Sequence, residues 1–349
     1  MKTLKATATG IIKPLSERNR DIIARRFGLQ NGKRETLEAI GRSYGITRER
    51  VRQIEESTLA QLTKSAANYK DVLKYVAAVR AMLMKEGGIM KERDLFTSFS
   101  GSNNYDATNA ALSFILTLNQ ELVKSEENDQ FHAFWAADQK KVDQFRNVVA
   151  ALTNAFNDRG TVIAEAQLFP FAREHGVLTG NGSEFSDKTL TNLMSISKQI
   201  DRNIFGEAGL VSWAEVKPKG VRDKAYLIMK KEGEARHFGE IAKLINTARF
   251  NDRKAVNVQT VHNELIKDDR FVLVGRGMYA LAEWGYKAGT VKEVLMDILK
   301  NAPQPLPKSD LVARVMDARM VKENTILLNL QDSSCFVKNE DGTYTLRKA

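Results

Sequence analysis

A single cysteine, Cys335, is all the thiol chemistry this 349-residue sequence offers. A lone thiol forms no internal disulfide and has no partner for a paired-cysteine metal or redox motif. It lies in the apolar stretch SSCFV, which suits a small core residue. Histidine is scarce too. His132, His175, His237 and His262 stand apart, none with HxxxH or HExxH spacing, so no metal site, cofactor or catalytic centre is expected. No apolar run approaches the roughly 20 residues that span a bilayer. The start, MKTLKATATGIIKP, lacks the continuous apolar core of about 7 or more residues that a secretory signal needs. These absences point to the cytoplasm. What is present, 43% hydrophobic and 28% charged residues, is ordinary globular composition. The length calls for two or more domains.

The net charge of +10 is concentrated at one end. Residues 1–70 hold 15 Lys and Arg against 7 Asp and Glu, whereas the rest of the chain holds 38 against 36. Such concentration suits a surface that neutralises phosphates and releases their counterions. An acidic protein partner would also be met by it.

Within the basic end, LSERNRDIIARRFGL carries Ile22, Ile23, Phe27 and Leu29 at near-helical spacing, with Gly28 as a stop. Thr36 opens a short second helix, TLEAIGRSY, broken by Gly45. Thr47 suits the N-cap of a third, TRERVRQIEESTLAQL. Its stripe of Val51, Ile54 and Leu62, with Leu59 beside it, leaves Arg48, Glu49, Arg52 and Gln53 on the outer face. Two short helices joined by a glycine turn, the second carrying side chains that can read base edges, make the helix-turn-helix pattern.

The run from Leu15 to Leu62, with RRFGL, TLEAIG and GITRERVRQIEE in order, resembles region four of the housekeeping sigma factors, which reads the minus-35 promoter element. The resemblance implies base-edge contacts from Arg48, Glu49, Arg52 and Gln53, and phosphate contacts from Arg50, Thr36 and Arg26. It also implies docking on RNA polymerase, at the flap of the β subunit, through the apolar side of the first helix and the end of the third. The chemistry agrees: Arg pairs with a guanine edge, Gln with adenine, and Glu accepts from a cytosine amino group. Only about fourteen residues precede the motif, and nothing after it resembles the domains that melt promoters. The expectation is therefore a factor that is not a complete sigma factor.

The rest looks repetitive. Blocks ending near Trp135, Trp213, Trp284 and Tyr344 each read as a β-hairpin, with helical stretches between them. Three helices and a hairpin, repeated four times, give the winged-helix outline. The third copy, with HFGEIAKLIN, VQTVHNEL and FVLVGRGMYALAEWG, resembles the HARE-type helix-turn-helix found in the delta subunit of some bacterial RNA polymerases. Its wing tip puts Arg276 between Gly275 and Gly277, exposed and able to enter a minor groove.

Other chemistry is weaker. GVLTGNGSEF at 176–185 lacks the Lys-Ser/Thr end of a phosphate loop. Asp201, Glu215 and Lys217 loosely imitate a nuclease triad, but Glu215 and Lys217 follow a wing hairpin. The acids Glu126, Glu127, Asp268 and Asp269 suit solvated turns.

The expected architecture is thus mainly α: an N-terminal helix-turn-helix (1–70), then a tandem array of winged-helix units with small β-wings (71–140, 141–217, 218–286 and 287–349), the third HARE-type. The expected function is a sequence-specific, non-enzymatic transcription factor. It binds double-stranded promoter DNA at a minus-35-like element and associates with bacterial RNA polymerase, at the nucleoid and away from membranes. Two rivals are a polymerase-docking scaffold that reads no sequence and a restriction- or nuclease-associated component.

Overall fold

A computed structural model describes residues 3–66, 68–177, 187–248, 250, 254–286 and 289–347. Sixteen α-helices and twelve short strands lie among them. The chain divides into two compact units: residues 1–201 with 208–211, and residues 202–207 with 212–349.

The first unit opens with α1 (Leu4–Ile12), a helix absent from the sequence reading. With two threonines and a glycine in nine residues its propensity is low, and packing decides its conformation. The Thr3 hydroxyl accepts from the Ala6 amide, and Leu4, Ala8, Ile11 and Ile12 are buried. Then come α2 (Glu17–Phe27), capped by Ser16 and closed by Gly28, and α3 (Leu37–Tyr44), between Thr36 and Gly45. In α4 (Arg48–Ala66) the first turn is capped by Thr47, whose Oγ1 accepts from the Arg50 amide at 3.2 Å.

Four stretches then share one element order. The first holds α5 (Lys70–Lys85), β1 (Ile89–Lys91), α6 (Glu92–Ser100), α7 (Ala107–Thr117), β2 (Val123–Ser125) and β3 (Phe134–Ala136). The second holds α8 (Gln139–Arg159), β4 (Ile163–Ala164), α9 (Glu165–Glu174), α10 (Asp187–Ile196), β5 (Ile200–Arg202) and β6 (Glu207–Leu210). The third has α11 (Val221–Glu232), β7 (Arg236–His237), α12 (Phe238–Thr247), α13 (Val258–Ile266), β8 (Phe271–Leu273) and β9 (Met278–Leu281). The fourth has α14 (Val291–Lys300), β10 (Leu306–Pro307), α15 (Lys308–Ala318), α16 (Glu323–Leu330), β11 (Phe336–Lys338) and β12 (Thr343–Leu346).

Each hairpin gains a third strand of two or three residues from between the first two helices, in the orders β1-β3-β2, β4-β6-β5, β7-β9-β8 and β10-β12-β11. Strands that short carry no alternation for the sequence to betray. The aromatic residues aligned across the repeats also fall into two registers. Trp135 and Tyr344 sit second in β3 and β12, while Trp213 and Trp284 come three residues after β6 and β9 end.

In the first unit, α1, α2 and the end of α4 share a core with the first repeat. Leu4, Ala8, Ile11, Ile23, Leu62 and Ala66 join Val72, Val76, Phe96, Leu112, Phe114 and Ile115 in one buried cluster. Phe27 meets Phe114 edge-on at 5.1 Å, and the Tyr105 hydroxyl donates to the Phe27 carbonyl at 3.1 Å. The Arg34 guanidinium covers the Tyr105 ring at 3.9 Å. The third helix of the second repeat packs on the first repeat, with Asn192 donating to the Glu86 carbonyl at 3.1 Å.

In the second unit, α11–α13 with β8 and β9 enclose one core and α14–α16 with β11 another. Arg319, between α15 and α16, is buried and donates to the Leu273 carbonyl of β8 at 2.9 Å. Among the described residues no helix is long and apolar enough to cross a membrane.

Candidate nucleic-acid interface

The α3–α4 pair is built on a small core of Ile22, Ile40 and Val51, edged by Leu37, Tyr44, Ile46 and Ile54. The chain turns between the two helices at close quarters. The Ile46 amide donates to the Gly41 carbonyl at 3.0 Å, and a Cβ at position 41 would lie 2.7 Å from the Ile46 oxygen. Glycine permits that approach. With Val51 turned inward, the opposite face of α4 stands in solvent, and Arg48, Glu49, Arg50, Arg52 and Gln53 are all exposed on it.

These side chains form one surface network. Arg52 donates to Glu49 at 2.9 and 2.6 Å from Nε and Nη2, and its Nη1 reaches Glu56. Arg50 donates to the Gln53 amide oxygen at 3.1 Å. The hydrogen bonds from Arg52 hold the Glu49 carboxyl below the usual range and keep Arg52 more firmly protonated. In chemical terms this is a row of exchangeable donors: a guanine edge offers Arg52 the bidentate acceptor geometry that Glu49 now supplies.

Thr36 and Arg26, the other candidate contacts of this region, also have partners within the chain. Thr36 is exposed, but its oxygen already accepts from the Ala39 amide at 3.1 Å, so its hydroxyl hydrogen is what remains to donate. Arg26 is half-buried. Its Nε bonds Glu55 of α4 at 3.0 Å and its Nη1 the Glu35 carbonyl at 2.7 Å, which ties α2 to α4 and to the loop before α3. Beside it, Arg25 grips the Glu35 carboxylate at 3.0 and 2.7 Å and donates to Ser43 at 2.8 Å. The Tyr44 hydroxyl donates to Asp21 at 2.7 Å, which raises the phenol pKa. Nothing in the sequence betrays this scaffold, because the spacing of Arg25 and Glu35 has no local periodicity.

One surface is corrected outright. The apolar side of the first helix and the end of the third do not face outward: Ile22, Ile23, Ala24, Leu62 and Ala66 are buried, and Leu59 is packed against the same core. The chain's own α1 and α7 cover that side. An open groove remains between α1 and α2, lined by Thr9, Ile12, Arg18, Asp21, Leu29 and Tyr44.

Residues 11–64 match the family model of sigma-70 region 4. The RNA polymerase sigma factor SigA1 of Synechococcus elongatus is 44% identical over 59 residues, 17% of this chain and 15% of the relative. SigA of Listeria monocytogenes is 42% identical over 59 residues, 17% of this chain and 16% of the relative. Residues 11–64 are a sigma-70 region 4 domain. The match points to a DNA-binding, non-enzymatic family of transcription proteins. It covers a small part of each sequence, 15 to 16% of these sigma factors.

Beyond the region 4 domain, Arg276 is exposed at the tip of the β8–β9 hairpin. Of its flanking glycines only Gly277 has a positive φ, 69°, while Gly275 lies against the Met320 carbonyl. Glu215 is ion-paired with Lys230. Glu127 is paired with Lys198 at 2.7 Å, and Asp268 with Arg270 at 2.6 Å. Among the described residues no group of three His, Cys, Asp or Glu could hold a metal ion. Cys335 is half-buried against the core of the last repeat. The glycine-rich segment at 176–185 lies, from residue 178 onward, outside the described residues.

Proposed function

We propose that this protein is a sequence-specific transcription factor that reads a minus-35-like element through α4 and associates with bacterial RNA polymerase in initiation or its regulation. The observation that carries the reading is the exposed row of Arg48, Glu49, Arg50, Arg52 and Gln53 on the second helix of a region 4 helix-turn-helix. Arg52 and Gln53, with Arg48 and Glu49, contact base edges; Arg50 and the Thr36 hydroxyl hold phosphates. Arg26 serves the site by fixing α2 against α4 through Glu55. The four later repeats are winged-helix units, the third of HARE type, with Arg276 as a wing-tip DNA contact.

Genome-wide mapping of bound sites tests the class. Clustering upstream of transcription starts supports it, and sites scattered without relation to promoters overturn it.

Polymerase docking on the β-subunit flap belongs to the same reading. Because α7 occupies the apolar back of the region 4 domain, docking uses the groove between α1 and α2. Co-purification of polymerase with the full chain, lost in Thr9→Asp or Arg18→Glu with the fold intact, supports it. Retained co-purification in both variants rejects the groove.

A further inference from the structure

The third helices of the four repeats differ in what they leave to solvent. Every residue of α7 from Asn109 to Leu116 is buried, and none of the residues 189–196 of α10 is exposed. In α16 the exposed positions are Glu323, Asn324, Thr325 and Leu328, an acid and a bare leucine among them. By contrast α13 turns only Val261 and Leu265 fully into its core and exposes Val258, Gln259, Thr260, Asn263 and Ile266, with Lys267 exposed just beyond its end. Gln259 and Asn263 sit one turn apart, joined by an amide hydrogen bond of 3.1 Å. The helix start is set by Asn257, which accepts from the Gln259 amide at 2.8 Å.

A second observation ties this face to the neighbouring wing. The Phe238 ring packs, tilted, against both His237 and His262 with centroids at 4.3 and 4.4 Å, so α13 is pinned to the start of α12. Gly277, at φ 69°, brings the wing backbone so near that a Cβ there would lie 2.6 Å from His237 Nε2. The same histidine therefore touches the turn that carries Arg276 and the ring that holds α13.

We propose that α13, flanked by the Arg276 wing, is a second reader of duplex DNA, separate from α4. Glutamine and asparagine amides pair bidentately with the adenine edge, and the Ile266 side chain offers apolar contact to a thymine methyl. Lys267 and Arg276 supply the cations that hold phosphate or a narrow minor groove. The exposed Val258 and Ile266 stand at the two ends of the helix with the two amides between them, whereas a protein partner would be better met by a continuous apolar centre, since the core of a protein interface is more apolar than its rim. The inference rests on the DNA-binding reading for its class of ligand, but it uses different residues in a different unit.

The test selects duplexes from a random pool with the full chain, with Gln259→Ala/Asn263→Ala, with Arg52→Ala and with Arg276→Glu. Positions 259, 263, 52 and 276 are exposed, so the thermal melts should match that of the parent. The expected outcome is two separate blocks of enriched sequence. The double variant loses one block, with affinity falling about tenfold or more, while Arg52→Ala weakens the other. Arg276→Glu lowers binding to all duplexes. A single block that the double variant leaves unchanged overturns the inference. A block that depends on Gln259 and Asn263 but none that depends on Arg52 would instead reject the role of α4 and leave this one standing.

Discussion

The Arg25 guanidinium and the Glu35 carboxylate meet as a two-pronged pair, at 3.0 and 2.7 Å, and so fasten the loop before α3 to the end of α2. The bond holds the Glu35 carboxyl below its usual value of 4.5. A carboxylate depressed in the folded state stabilises fully above the unfolded value, and the contribution is lost as pH falls through the lower folded one. With 39% of the Glu35 side chain exposed, solvent screens the pair. Glu35→Gln should therefore cost only about 1 kcal/mol in urea unfolding at neutral pH. The difference from the parent should shrink below pH 4.5.

This pair also marks where sequence reading stopped. Ser16, Gly28, Thr36, Gly45 and Thr47 bound α2, α3 and α4 where capping chemistry puts them, because caps are local and written in one or two residues. The outward face of α4 was legible from helical period alone. The bond from Arg26 to Glu55 was not, because nothing local announces a partner twenty-nine positions away. Nor was α1, whose apolar residues find their partners on α7, about a hundred residues on. The short third strand of each sheet is fixed by pairing across the repeat, as Met90 with Trp135, and has no pattern of its own.

On α4, Arg52 and Arg50 should separate cleanly. Arg52→Ala should relax specificity at one base pair by roughly tenfold or more. Arg50→Ala should weaken all sequences alike and reduce the salt slope of binding by about one. Glu56→Gln, which exchanges a charged partner of Arg52 for a neutral one and removes a charge that repels phosphate, should strengthen binding at low salt. Fluorescence anisotropy over a salt series reads all three; identical curves for the variants and the parent would remove α4 from the interface.

Gly41→Ala tests the turn. Alanine gains about 1 kcal/mol of helix propensity over glycine. Its Cβ meets the Ile46 carbonyl at 2.7 Å, and overpacking against backbone costs about 1–3 kcal/mol. Thermal unfolding should show net destabilisation, and DNA affinity should fall further than stability does, because the displaced element is α4. Unchanged affinity with lowered stability would separate the turn from the reader.

Leu62 is 3% exposed in the core shared by α4 and the first repeat. Leu62→Ala should destabilise the first unit by about 2–4 kcal/mol. A fragment ending at residue 66 would bare Leu62 and Ala66 and should show enhanced dye binding and rapid proteolysis. One ending at residue 211 should resist both. If the short fragment melts as cooperatively as the longer one, the shared core carries no stability.

The contact of Phe27 with Phe114 has a bearing on engineering. A promoter-reading cassette is commonly imagined as something that can be cut out and grafted elsewhere. Here its hidden side is moulded to α7, so a hybrid carrying residues 11–64 alone would arrive with an unfinished back. A change of the Phe27 ring takes away the partner of Phe114, so the two segments have to be redesigned as one piece.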